Sequence, residues 1–261
     1  MVKLNEILDF INALAPQSLS ESYDNVGLLV GNHEKEIKSV LITLDTDESV
    51  VNEAKEKNAD LVISHHPIIF KPLNRITDKD STQRAVISLI KNDIAQISVH
   101  TNFDSVEKGL CDLFLDKIAD TKNRTVLEGT EPDGLGRFAY LKAPLKLIDI
   151  LKSIKENFKL STVRFVGNEE GKISKIAVCN GGGAEFVEKA KEMGADCFIS
   201  GDIKYHQARY AYENDIAFIE IPHFNAEVIF SEYMKEILEE KFGQKLKILV
   251  SDNNIDIWKH F

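Results

Sequence analysis

Cysteine is scarce. The 261 residues hold three, Cys111, Cys179 and Cys197, an odd number with no CxxC pair and no disulfide-framework spacing, so a disulfide-stapled scaffold is excluded and a reduced, cytoplasmic protein is expected. Long apolar runs are also missing. No segment approaches the roughly 20 consecutive apolar residues that span a bilayer. Residues 1–16 alternate Leu, Ile and Phe with Lys, Asn, Glu and Asp at helical spacing, which differs from a secretory signal and excludes a membrane partner. Positive charge is in deficit as well. A formal net charge of -10 makes nucleic acid an unfavourable partner, because the long-range field repels phosphate backbones. A nucleic-acid-binding ring would need cations such as Lys71, Lys122 and Arg124 to gather on one surface against that field. Low-complexity stretches and long Pro/Gly/Ser linkers are absent too, so nothing separates independent modules.

What the chain does have is an internal repeat. With 43% hydrophobic and 28% charged residues it has enough apolar side chains for a sizeable core, and sliding it against itself divides that core in two. Residues 37–64 align without a gap on residues 173–200, with identities at Val51/Val187, Ala54/Ala190, Lys55/Lys191, Glu56/Glu192, Ala59/Ala195, Asp60/Asp196, Ile63/Ile199 and Ser64/Ser200. Each copy reads as a strand (40–44; 176–179), a helix (49–57; 185–193) and a second strand (61–63; 197–199). That is a βαβ pattern, which implies parallel strands with a helix over one face. KLNEILDFI and KLIDILKSI open the two copies with similar helices, and the block NDIA recurs at 92–95 and 214–217. The fold class is therefore α/β: two similar lobes, 1–120 and 145–261, with a crossing segment at 121–144 that carries a strand around 137–141, and a metal site in the cleft between the lobes.

Ligands of parallel sheets bind where the carboxyl ends of strands meet. Four such ends carry the unusual residues: Ser64-His65-His66-Pro67, His100-Thr101-Asn102-Phe103-Asp104, Ser200-Gly201-Asp202 with His206, and Pro222-His223-Phe224-Asn225-Ala226-Glu227. Five of the seven histidines lie there; His33 and His260 do not. His100/Asp104 and His223/Glu227 are one element used twice, a histidine and a carboxylate four residues apart that share a helix face if the chain turns helical. Imidazole with carboxylate suits Zn, Fe, Mn, Co or Ni better than Mg or Ca. Two such cations sharing a water lower its pKa toward neutrality, and hydrolysis is the chemical implication.

Each residue also has an ordinary reading. A lone strand-end histidine is more often a satisfied polar group than a ligand. Adjacent His65 and His66 face opposite ways unless the strand ends there, as Pro67 indicates. His100 and His206 as easily hydrogen-bond a ligand from behind as bind metal themselves, with proton shuttling as their role in a hydrolase, and Asp202 reads equally as a helix N-cap. Asp45-Thr46-Asp47 in the first copy corresponds to Gly181-Gly182-Gly183 in the second. The triple glycine reads as an anion- or phosphate-binding turn or, with equal weight, as a tight strand-to-helix turn.

Together with Tyr23-Asp24-Asn25-Val26-Gly27-Leu28-Leu29-Val30-Gly31, these motifs resemble, in order and spacing, the NIF-three-like family, also called GTP cyclohydrolase 1 type 2 homologues. The resemblance covers nearly the whole chain. It implies a two-lobed α/β fold, a toroidal homohexamer and two divalent metal ions held by His65, His66, Asp104, His223 and Glu227. Tyr23 stands where many relatives have tryptophan. Some longer relatives insert a domain between the lobes, for which 121–144 leaves no room. The expected activity is metal-dependent hydrolysis of a small molecule, with ring opening of GTP or another nucleotide as the family's name suggests. No residue reads out guanine. A metal-binding scaffold without turnover is the competing expectation.

Overall fold

The computed structural model describes residues 2–259, so Met1, His260 and Phe261 lie outside the described part. Short strand β1 (Val2–Lys3) leads into helix α1 (Leu4–Leu14), whose Leu4, Ile7, Leu8 and Ile11 repeat at helical spacing and form its buried stripe. Strands β2 (Gly27–Val30), β3 (Glu36–Ile37) and β4 (Ser39–Thr43) follow. Then come α2 (Glu48–Glu56), β5 (Leu61–Ser64), α3 (Ser81–Lys91), β6 (Ala95–Ser98) and the five-residue helix α4 (Thr101–Ser105). Beyond it lie α5 (Leu110–Ile118), β7 (Thr121–Thr130), β8 (Asp133–Lys146), α6 (Leu147–Asn157), β9 (Arg164–Val166) and β10 (Lys172–Val178). A 3-10 turn leads to α7 (Val187–Glu192), β11 (Cys197–Ser200), α8 (Tyr205–Glu213), β12 (Ala217–Glu220) and α9 (His223–Glu227). The chain closes with α10 (Ile229–Phe242) and β13 (Lys247–Val250).

Two compact units result, one of Met1–Phe103 with Val228–Phe261 and one of Asp104–Glu227. The first holds a five-stranded sheet ordered β13-β4-β5-β6-β2, with β13, β4, β5 and β6 parallel and β2 antiparallel at the edge. Every residue of β4, β5 and β6 is buried, as expected of parallel strands covered on both faces. Asp47 and Asp80 accept hydrogen bonds from the backbone N–H groups of Val50 and Gln83, capping α2 and α3 at their N-termini. Val50, Val51, Ala54, Val86 and Leu89 of these helices pack with Leu41 and Val62 of the sheet.

The second unit has a six-stranded sheet ordered β7-β8-β10-β11-β12-β9, parallel through β10, β11 and β12 and antiparallel elsewhere. Its core joins Ala177, Val187, Ala190, Phe198, Ala211 and Phe218. The crossing segment is a long antiparallel hairpin, wider than the single strand expected near 137–141. The mixed α/β class holds, but the boundaries differ from those expected at 120 and 145. Helix α5 buries Leu110, Phe114 and Leu115 in the second unit. Helix α10 and β13 return to the first, because Lys247–Val250 pairs in parallel with Ser39–Val40-Leu41-Ile42. Among the described residues no helix is long and apolar enough to cross a membrane.

Glu53 fastens that return. Its carboxylate accepts from Lys57 Nζ (2.6 Å), Asp252 N (2.8 Å), Asn253 Nδ2 (2.8 Å) and the Ser251 hydroxyl. Burial alone would raise the Glu53 carboxyl, but these partners outweigh it and hold it at about 2. A carboxyl lowered on folding stabilises the native state above its unfolded value of 4.5, and this contribution disappears as pH falls from 4.5 towards 2. Glu53→Gln is therefore expected to cost about 1–3 kcal/mol in urea unfolding at pH 7 and much less at pH 3. Equal losses at both pH values would contradict this role.

Candidate metal centre

In the first unit the parallel register pairs Ser64 with Ser98, so β5 and β6 end side by side. Ser64 Oγ donates to the His66 carbonyl (2.6 Å) and Ser98 Oγ to the His65 carbonyl (2.9 Å), fixing the backbone just past the strand end. Adjacent histidines can therefore reach the same place. His65, His66 and His100 each offer a ring nitrogen within 4.8 Å of the others, a group able to hold a metal ion.

The other side of each ring decides which nitrogen is offered. His65 Nδ1 lies 2.8 Å from the Val99 carbonyl, His66 Nδ1 2.8 Å from Asp45 Oδ1, and His100 Nδ1 2.9 Å from Asp24 Oδ1. A carbonyl or a carboxylate only accepts, so Nδ1 carries the proton in each ring and Nε2 bears the lone pair. Metal-bound histidines are oriented by just such partners. Asp24 also accepts from the Thr101 backbone N–H and hydroxyl. Its wholly buried side chain would by itself be driven up, but the hydrogen bond and charge of His100, with Thr101 and the Asn25 N–H, bring its pKa to about 2.

In the second unit α9 starts at the end of β12, and its His223 and Glu227 share one helix face. His223 Nδ1 donates to Asp202 Oδ2 (2.7 Å), while Nε2 faces Glu227 Oε2 at 2.9 Å. A lone pair and a carboxylate oxygen at that distance require positive charge between them, either a ring proton or a shared cation. Asp104 and Glu227, both buried, are joined by Asn180, whose Nδ2 donates to Asp104 Oδ1 (2.8 Å) and to Glu227 Oε1 (2.9 Å). Behind the amide, Cys111 Sγ donates to Asn180 Oδ1 at 2.8 Å. The Cys179 thiol is pushed up by its hydrogen bond with Cys111, by burial and by the charges of Asp104 and Glu227, so it stays protonated at neutral pH.

The triple glycine makes room for this group. A Cβ on Gly181 would stand 2.0 Å from Glu227 Oε1 and 3.1 Å from His223 Nε2, and one on Gly183 would stand 2.3 Å from Cys179 Sγ. Gly182 is exposed, with open space around it. The short 3-10 turn Gly183–Phe186 follows directly.

All five expected ligands thus lie in one of two groups: His65 and His66 with His100, and Asp104 with His223 and Glu227. His206 stands exposed on α8 with its ring against Tyr205 (5.7 Å). Asp202 orients His223, and the N-cap position of α8 is held by Lys204, not by Asp202. Arg124 is committed to Asp112 and Asp116. Asn180, Cys111 and Asp24 carry roles that the sequence reading did not assign. Asp24 sits inside the Tyr23–Gly31 motif, which was the only signal for it. The donor set of imidazoles and carboxylates, each imidazole held from behind by an acceptor, fits a transition-metal or zinc ion.

The sequence profile of Duf34/NIF3 (NGG1p interacting factor 3) matches residues 2–256. The chain belongs to this family. The GTP cyclohydrolase 1 type 2 homolog of Clostridium acetobutylicum is 37% identical over 265 aligned positions, covering 99% of this chain and 98% of that protein. The protein of the same name from Staphylococcus epidermidis is 25% identical over 367 positions, about a hundred more than the 261 residues here. Staphylococcus aureus protein SA1388 superimposes with a TM-score of 0.90 at 29% identity, covering 100% of this chain and 99% of that one.

Gly181→Ala provides a local test. With φ +56° and Glu227 in the way, alanine is expected to destabilise the protein by about 1–2 kcal/mol from the backbone alone, and to displace the carboxylate. Chemical denaturation at wild-type stability, with Glu227 unmoved in a crystal structure of the variant, would contradict the close packing.

Proposed function

We propose that this chain is a metal-dependent hydrolase in which His65, His66, Asp104, His223 and Glu227 hold two divalent cations. The observation that carries the reading is that every histidine in the two groups is oriented through Nδ1 by an oxygen acceptor, as metal-bound histidines are. On this reading the two units are copies of one ancestral lobe. The successive parallel strands β4-β5-β6 flanked by antiparallel β2 correspond to β10-β11-β12 flanked by antiparallel β9, and His100/Asp104 follows the end of β6 as His223/Glu227 follows that of β12.

A pair of cations supplies Lewis acidity and lowers the pKa of a shared water toward neutrality. The residues do the rest. His65 and His66 are oriented toward the cations by the bonds of their Nδ1–H groups to the Val99 carbonyl and to Asp45. His100 takes up a proton at Nε2, the resulting charge being balanced by the Asp24 carboxylate, and returns it to the leaving group. His206, exposed on α8, exchanges protons with solvent. The names of the relatives point to GTP or another nucleotide as the small-molecule substrate. The homohexamer implied by the resemblance belongs to the same proposal.

Metal analysis of protein purified without chelator, with turnover assays on GTP and a phosphoester panel, tests it. Wild type is expected to retain divalent metal and to turn over at least one compound, and His66→Ala/Glu227→Ala is expected to lose more than half of the metal. A double variant that keeps its metal sinks the site. Metal without turnover on any compound sinks the hydrolase and leaves a metal-binding scaffold.

A further inference from the structure

We infer that Asn180 is a positioning residue for the paired carboxylates, and that the Cys111 thiol sets the direction in which its amide points. The inference rests on the metal reading above and concerns only groups within the second unit. Two carboxylates brought together in a buried place repel each other, and the Asn180 amide bridges Asp104 and Glu227. Its two N–H bonds are shared one to each carboxylate, so a single planar group fixes the spacing between Asp104 Oδ1 and Glu227 Oε1. Each carboxylate is thereby pinned by one oxygen, and the other oxygen of Glu227, Oε2, is the one turned to His223 Nε2.

An amide has two ends, and only one of them suits this place. Turned over, Asn180 would set its carbonyl oxygen against two anionic oxygens. The Cys111 S–H reinforces the correct choice by donating to Oδ1 from the opposite side. Cys111 is fully buried on α5, and Asn180 directly follows Cys179 at the end of β10, so both ends of this relay are fixed by the core. Gly181 serves the same relay, since a side chain there would push Glu227 out of it. Cys111 thus acts through its S–H hydrogen bond to Asn180, and not as a metal ligand or nucleophile.

Co(II) titrated into chelator-stripped full-length protein tests the inference, followed by calorimetry for affinity and by the visible absorption bands for coordination geometry. Asn180→Ala is expected to weaken Co(II) binding about 10- to 100-fold and to change the visible bands, while circular dichroism shows a folded protein. Wild-type affinity with unchanged bands overturns the role. Should Asn180→Ala fail to fold, the cysteine pair decides. Cys111→Val, which removes the donor, is expected to weaken binding about tenfold, while Cys111→Ser, which keeps an O–H donor, stays within about threefold of wild type. Equal binding by the two cysteine variants overturns the inference. If wild type itself binds no Co(II), the metal reading has failed and this inference fails with it.

Discussion

A neutral imidazole has one lone pair to give, and the hydrogen bond behind the ring decides where it points. Four such bonds organise this protein: His65 to the Val99 carbonyl, His66 to Asp45, His100 to Asp24 and His223 to Asp202. The acceptors are all placed at or beside strand ends or the loops facing them, so the parallel sheets come first and the tautomers follow. If β5 and β6 slipped in register, Ser64 and Ser98 would part, and the three histidines of the first unit with them.

The carboxylate side is built on a different principle. Its acids are buried beside each other, where like charges cost most, and the fold sets a neutral amide dipole against both. Asn180 spans the pair, Cys111 orients Asn180, and two glycines leave the space that both arrangements need. Arg137, the nearest buried guanidinium in sequence to this side, is spent on Asp112 and on the carbonyls of Gly134, Gly136, Ser105 and Val106.

Much of this was legible before any coordinates. Strands such as 61–63 and 197–199 are short apolar runs between helical patterns, and their parallel pairing follows from that alternation. The histidines and acids stood out because they crowd the same strand ends. The division into units was not legible. Strand β13 joins a partner some two hundred residues away, and nothing local in Lys247–Val250 announces it. The hairpin β7–β8 was only partly visible, since much of it is exposed and lacks clean alternation. Asn180 was invisible for a different reason. An asparagine before glycines reads as a turn, and only the approach of Asp104 and Glu227, far apart in sequence, gives its amide a task.

The central claim is that the tethered histidines and the bridged carboxylates serve one pair of metal ions. Anomalous diffraction from crystals grown with Zn(II) or Mn(II), measured on both sides of the metal absorption edge, tests it most directly. The account predicts two neighbouring peaks, contacted between them by Nε2 of His65, His66 and His223 and by oxygens of Asp104 and Glu227. Peaks bound through Nδ1, or no peak at these residues in metal-saturated crystals, would contradict it.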